Sequence, residues 1–142
     1  MYRVLVPVGE SESRARQAAE IVVDLTSAGD DVEAVILNVF EEFEVPGEGE
    51  SIDSKDLYDE TEFPASVAVA EERLQSAGVS VSKRREHGDP TEEILAVARE
   101  IDAYDIAMSG RKRSPTGKVL FGSVTQSVML EADRPVTVMM SE

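Results

Sequence analysis

Short apolar runs of strand length alternate with stretches of helical periodicity along this chain, and that alternation sets the class of fold. Tyr2-Arg3-Val4-Leu5-Val6-Pro7-Val8 is β-branched and apolar, a buried strand. Gly9 to Ser13 forms a turn ending in helix-capping serines. Ala15, Ala18, Ala19, Val22 and Val23 then recur at helical spacing up to a stop at Gly29. Val32 to Phe40 is a second buried strand. A helix is expected from Pro64 to Ala77, with Val67, Ala70, Leu74 and Ala77 on one face and Gly78 as its stop. Val79 to Arg84 alternates like a half-exposed edge strand. Asp89 caps the next helix, with Pro90 at its first position, Glu92 completing a capping box, and Ile94, Leu95, Val97, Ala98 and Ile101 on its apolar face. Tyr104 to Ser109 is the fourth strand. Val124, Val128, Met129 and Ala132 line the fourth helix, and Val136 to Met140 is the last strand.

Right-handed crossovers turn this β-α-β-α-β-α-β-α-β order into an open parallel sheet with helices on both faces. Ligands of such sheets lie beyond the strand C-termini, where the strand order reverses. The loops there follow Val8, Phe40, His87 and Ser109.

The loop after Ser109 carries the strongest chemical signal. Residues 109 to 123 hold Arg111, Lys112, Arg113 and Lys118, four of only 14 basic residues in a chain with 29 acidic ones. A strand, a basic Gly- and Ser-containing loop and a helix start are the parts of an anion site, because amide donors and the positive end of the helix dipole converge there. Solvated charges paired to acidic neighbours, or a subunit contact, explain the same loop. Gly122 and Ser123 fit either phosphate donors or an ordinary helix start. A P-loop is excluded: Gly117-Lys118 is followed by Val119, not Ser or Thr. His87, the single histidine, stands at a strand end; a structural role and a role on a ligand both fit it. No residues are spaced for a catalytic triad, so no catalytic residue is assigned. Asp89 and Glu92 look like helix caps, and no protein metal site is expected.

Length and composition limit the rest. At 142 residues and 42% hydrophobic content, one domain with one core is expected, and no apolar run approaches the ~18 residues that span a bilayer. Cysteine is absent, which removes disulfides and thiolate chemistry. The start of the chain has neither a basic segment nor a cleavage site, so a soluble cytoplasmic protein is the expectation. The net charge of −15 disfavours nucleic acid as a partner. It fits adaptation to molar salt, where the Debye length falls to roughly 3 Å and surface carboxylates repel little. The ten arginines against four lysines, and the even spread of Asp and Glu, agree with a halophilic surface. Residues 41 to 62 form a long acidic segment without clear period, read as a surface loop; Phe43, Tyr58 and Phe63 are candidates to fold it over the cleft as a lid.

Val4-Leu5-Val6-Pro7-Val8, Gly88-Asp89-Pro90 with Glu93-Ile94-Leu95, the stretch from Met108 to Ser123, and Arg134-Pro135-Val136-Thr137-Val138 occur in this order, and with them the chain resembles the universal stress protein (UspA-like) family, as a haloarchaeal-type single-domain member. The resemblance covers essentially the full length, with an insertion at about 41–62. It implies a five-stranded parallel sheet in the order 3-2-1-4-5, a fold of the adenine nucleotide alpha hydrolase type. It also implies a homodimer paired through the last strand, Val136, Thr137, Val138, Met139 and Met140. One branch of the family binds ATP through Gly-x-x-Gly, nine residues, then Gly-Ser or Gly-Thr, with an Asp after the first strand. Here Gly122-Ser123 matches the end of that motif, Ser109 and Lys112 stand at its early glycines, and Gly9 stands at the Asp.

The function expected on this basis is a stress-response module that binds ATP and hydrolyses it slowly if at all. Pro7, Val39 and Met108 would surround the base, with Val8 beside it; Gly110, Arg111, Arg113, Gly122 and Ser123 would hold the phosphates, with Mg²⁺ between phosphates, and Gly9, Ser109, Lys112 and Val124 complete the expected nucleotide-binding set. A homodimeric scaffold that binds no ATP is the alternative, favoured by Gly9, Ser109 and Lys112. An enzyme using His87 as base is a third reading.

Overall fold

The structure, a computed structural model, describes residues 2–27, 31–41, 62–111 and 122–141. The expected helix stop at Gly29, most of the acidic loop with Phe43 and Tyr58, and Lys112, Arg113 and Lys118 lie outside the described residues. The elements are β1 (Tyr2–Pro7), α1 (Glu12–Ser27), β2 (Val32–Glu41), α2 (Ala65–Ser76), β3 (Ser80–Gly88), α3 (Pro90–Glu100), β4 (Asp105–Arg111), α4 (Ser123–Glu131) and β5 (Val136–Ser141). The five strands form one parallel sheet in the order β3-β2-β1-β4-β5.

Alternation along the central strand divides the core. Val4 and Val6 face α1 and α2, where Ala19, Val22, Val67 and Leu74 are buried. Leu5 faces the opposite side, with Ile94, Val97 and Val128 of α3 and α4. Because β1 is covered on both faces from Val4 to Val6, its side chains there must be apolar.

The helix ends follow local chemistry. Ser11 Oγ accepts from the Arg14 amide at 3.4 Å at the start of α1. Asp89 Oδ2 accepts from the Glu92 amide at 3.0 Å, and Pro90 occupies the first turn of α3. Gly78 has φ +81 after α2, a conformation that costs glycine least. Arg134 does what no contiguous sequence signal announces: its guanidinium donates to the carbonyls of Ala98 at 3.0 Å and Ala103 at 2.8 Å, closing the C-terminus of α3.

The third strand runs past the alternating stretch 79–84 to Gly88, which agrees with His87 standing at a strand end, and it pairs with β2 as far as Glu41↔Gly88. Its polar residues keep the ladder because they find partners: Arg84 pairs with Glu86 at 2.6 Å and with Glu100 of α3, and Arg85 lies 5.0 Å over the Phe40 ring. This extension carries Arg85 and His87 to the end of the sheet where the loops gather.

At the other end, Asp105 is buried among apolar neighbours. Thr137 Oγ1 donates to its Oδ2 at 2.7 Å, while Oδ1 has no hydrogen-bond partner among the described residues. Burial pushes the carboxyl pKa up, and the Thr137 hydrogen bond only partly opposes this. The folded chain therefore holds this proton where the unfolded chain, with Asp near 3.9, has lost it. That contribution to stability is fully present at low pH and fades as pH rises through the elevated value. Asp105→Asn should leave a flatter stability-against-pH curve above about pH 4 and a higher urea midpoint at pH 8 than the parent chain. Parallel curves for the two chains would show that Asp105 does not titrate as argued.

Candidate functional site

The crevice forms where the strand order reverses. β2 and β3 lie to one side of β1, and β4 and β5 to the other. The β1–β4 ladder joins Val4 to Asp105 and Leu5 to Ile106, below the strand ends. Beyond it a cleft of about 1280 Å³ opens over the ends of β1, β2 and β4. That exceeds the ~300–1,000 Å³ usual for small-molecule sites, so a nucleotide-sized ligand fits.

Pro7, Val8, Val39 and Met108 give the cleft an apolar wall, and Gly9, Ser109, Gly122, Ser123 and Val124 also line it. Gly122 has φ 87 and ψ 148, and no side chain caps the helix that follows. The first intrahelical bond at this end runs from the Gln126 amide to the Gly122 carbonyl at 3.0 Å. The amides of Ser123, Val124 and Thr125 precede that bond and have no acceptor within the helix. Gly122 and these three residues border the cleft, so the positive end of α4 opens into it. Thr125 is buried and its hydroxyl donates to the Ser109 carbonyl at 3.1 Å, which fixes α4 to the end of β4.

The other expected phosphate residues are placed differently. Gly110 is not among the cleft-lining residues. A Cβ there would lie 2.7 Å from Met140 Sδ and 2.8 Å from Val138 Cγ1, so this glycine serves the packing of β5 against β4. Arg111 continues the ladder opposite Ser141. His87 does not line the cleft either; its ring stacks on Phe40 with centroids 5.9 Å apart. Phe63 does border the cleft, and the Lys83 ammonium lies 5.1 Å from the Phe63 ring centroid. Val136 to Met140 form β5, an edge strand that pairs with β4 and has no second partner among the described residues.

Residue pattern alone misses four side chains at this end. Asn38 is buried; its amide nitrogen donates to the Val8 carbonyl at 2.9 Å and its oxygen accepts from Arg85 Nε at 3.1 Å. Arg85 also donates to the Glu62 carbonyl, and the Ser66 hydroxyl donates to the Gly9 carbonyl. This chain of bonds ties the β1–α1 turn, β2, β3 and the approach to α2 into one frame. Arg14, from the first turn of α1, also lines the cleft. Asn38 carried a readable signal, as a polar residue deep in an apolar strand; the others did not.

Among the described residues no group of three or more His, Cys, Asp or Glu stands together as a metal site, and no helix is long and apolar enough to cross a membrane.

Comparison with known proteins agrees with this architecture. A universal stress protein from Mycolicibacterium smegmatis is 39% identical over 84 residues, covering 57% of this chain and 65% of that relative, slightly under two thirds of its length. A crystal structure of a universal stress protein in complex with cAMP superposes with a TM-score of 0.68 at 18% identity, covering 99% of this chain and 98% of that one. A universal stress protein family structure from Arabidopsis thaliana with AMP bound gives a TM-score of 0.65 at 17% identity, covering all of this chain and 93% of the other. The Universal stress protein family model matches residues 1–139, and the chain belongs to that family.

Proposed function

We propose that this protein is a cytoplasmic stress-response module that binds an adenine nucleotide, ATP with Mg²⁺ in the first instance, in the cleft above β1 and β4. The observation that carries the reading is the uncapped start of α4 at Gly122, opening beside an apolar wall wide enough for a base. Pro7, Val39 and Met108 take the base; the amides and hydroxyl of Ser123 and its neighbours take the phosphates, with Arg111 at the end of β4 contributing charge and Lys112 and Arg113, outside the described residues, expected to add to it. The cAMP and AMP complexes of its structural neighbours support the same ligand class. Hydrolysis is slow or absent in this reading, because the sequence spaces no residues for a catalytic triad.

Denaturing the purified protein and identifying released nucleotide by mass spectrometry tests this, with ATP titration in molar KCl beside it. Stoichiometric ATP or ADP is expected. No release and no binding would leave the scaffold reading, which Gly9 favours: a Cβ built there meets nothing within 4 Å, so that wall of the cleft is bare.

The module works as a homodimer through β5, since an edge strand otherwise leaves its amides and carbonyls unpaired. Val138→Asp should yield monomers or aggregates in light scattering; an unchanged dimer would place the interface elsewhere. The acidic surface, including the insertion at about 41–62, serves life in salt. The thermal midpoint should accordingly rise between low and molar KCl, and a flat or falling curve would remove the salt-adaptation reading.

A further inference from the structure

In a chain with 29 acidic and 14 basic residues, a partly buried arginine should find an acceptor within the protein. Four of the five partly buried arginines among those whose side chains are described do so. Arg73 pairs with Glu20, Arg84 with Glu86 and Glu100, Arg85 with Asn38 and the Glu62 carbonyl, and Arg134 with two carbonyls of the α3 end. Arg14 is the exception. Its backbone amide is bonded to Ser11, but its guanidinium has no hydrogen-bond or ion-pair partner among the described residues. Glu10, Glu41 and Glu62 border the same cleft, yet none of them neutralises it.

The fold explains why this cation matters. Arg14 projects from α1, on the face of the sheet opposite α4. The cleft therefore meets a ligand with amides that have no acceptor within α4 from one face and, from the other, a guanidinium without a partner among the described residues. A planar fork of N–H donors matches two oxygens of one phosphoryl group.

We infer that Arg14 is a specificity-determining residue of the cleft, which contacts a phosphoryl group of the ligand from the α1 side and selects charged nucleotides over the nucleoside. This rests on the nucleotide reading above for the identity of the ligand, but not for the presence of the anion contact. Arg14 also gives the cleft a cation that does not depend on the basic loop after β4.

Calorimetric titration of the full chain with pyrophosphate, ATP and adenosine, at one fixed KCl concentration, tests the inference. Arg14→Gln should weaken pyrophosphate and ATP at least tenfold and leave adenosine unchanged. Arg14→Lys, which keeps the charge and the helix but loses the fork, should fall between the two and gives the readout should the glutamine chain fold poorly. Arg16→Gln, exposed and outside the cleft, should match the parent. Parent-like pyrophosphate affinity in the Arg14 chains, no pyrophosphate binding by the parent, or an equal loss for adenosine would each overturn the assignment. Should the parent bind pyrophosphate through Arg14 but not ATP, the nucleotide reading falls and the anion contact stands.

Discussion

A Leu5→Ala chain should unfold with about 3–5 kcal/mol less free energy than the parent, measured by urea denaturation at fixed KCl. Leu5 has no solvent exposure and sits on the central strand, between Val35 of β2 and Ile106 of β4. Its side chain belongs to the cluster that joins the sheet to α3 and α4. Neighbouring strands hold the backbone on both sides, so the walls of the new cavity cannot close on it. The cost is then near the top of the range for leucine truncation rather than the bottom. Leu130 supplies the contrast. It is 77% exposed on α4, and Leu130→Ala should change stability by less than about 0.5 kcal/mol. Similar losses for both leucines would contradict the core assignment. A loss of several kcal/mol is a large part of the ~5–15 kcal/mol of a whole domain, so the Leu5 variant should also be the poorer expresser.

The second large effect is expected at Gly122, where the helix start meets the proposed nucleotide site. Its φ of 87 and ψ of 148 lie in a region that side chains avoid, while a Cβ there would meet nothing within 4 Å. The penalty for alanine is thus conformational rather than steric, about 1–3 kcal/mol if the turn is kept. If the turn relaxes instead, the amides of Ser123 to Thr125 turn away from the cleft. Only the relaxed turn weakens an anionic ligand; strain of that size favours relaxation, so Gly122→Ala should raise the dissociation constant for ATP at least tenfold. Gly9→Ala is the matched control. Its Cβ has equal room and its φ is not in the positive range, so its stability should stay within about 0.5 kcal/mol of the parent. Undiminished ATP binding in Gly122→Ala would detach the ligand from the α4 terminus.

What could be read from sequence was local or periodic. Strand and helix order, Asp89 as a cap, Gly78 as a stop and the crevice at the strand ends all depend on residues a few positions apart. Ser109, Gly122 and Ser123 were legible as cleft residues because a strand end and a helix start bracket them in the chain. Gly110 looked equally suited, one residue from Ser109. In the sheet, alternation turns it to the other face, against Val138 and Met140, some thirty positions further on. The end of β3 near His87 was legible for a local reason, since the Gly88-Asp89-Pro90 start of the next helix follows it, while the ladder offered by β2 is what carries its polar residues.

The sequence by itself determined the alternation of strands and helices, and through it a parallel sheet with a crevice at one edge. Patterns of period 2 and 3.6 are written in consecutive residues and need no distant partner. Tertiary structure alone decided how that crevice is equipped. Asn38 reaches Val8 across 30 positions and Arg85 across 47, and Arg14 finds no ion-pair partner among the described residues. Which charges meet depends on where helices on opposite faces end, and packing sets that position.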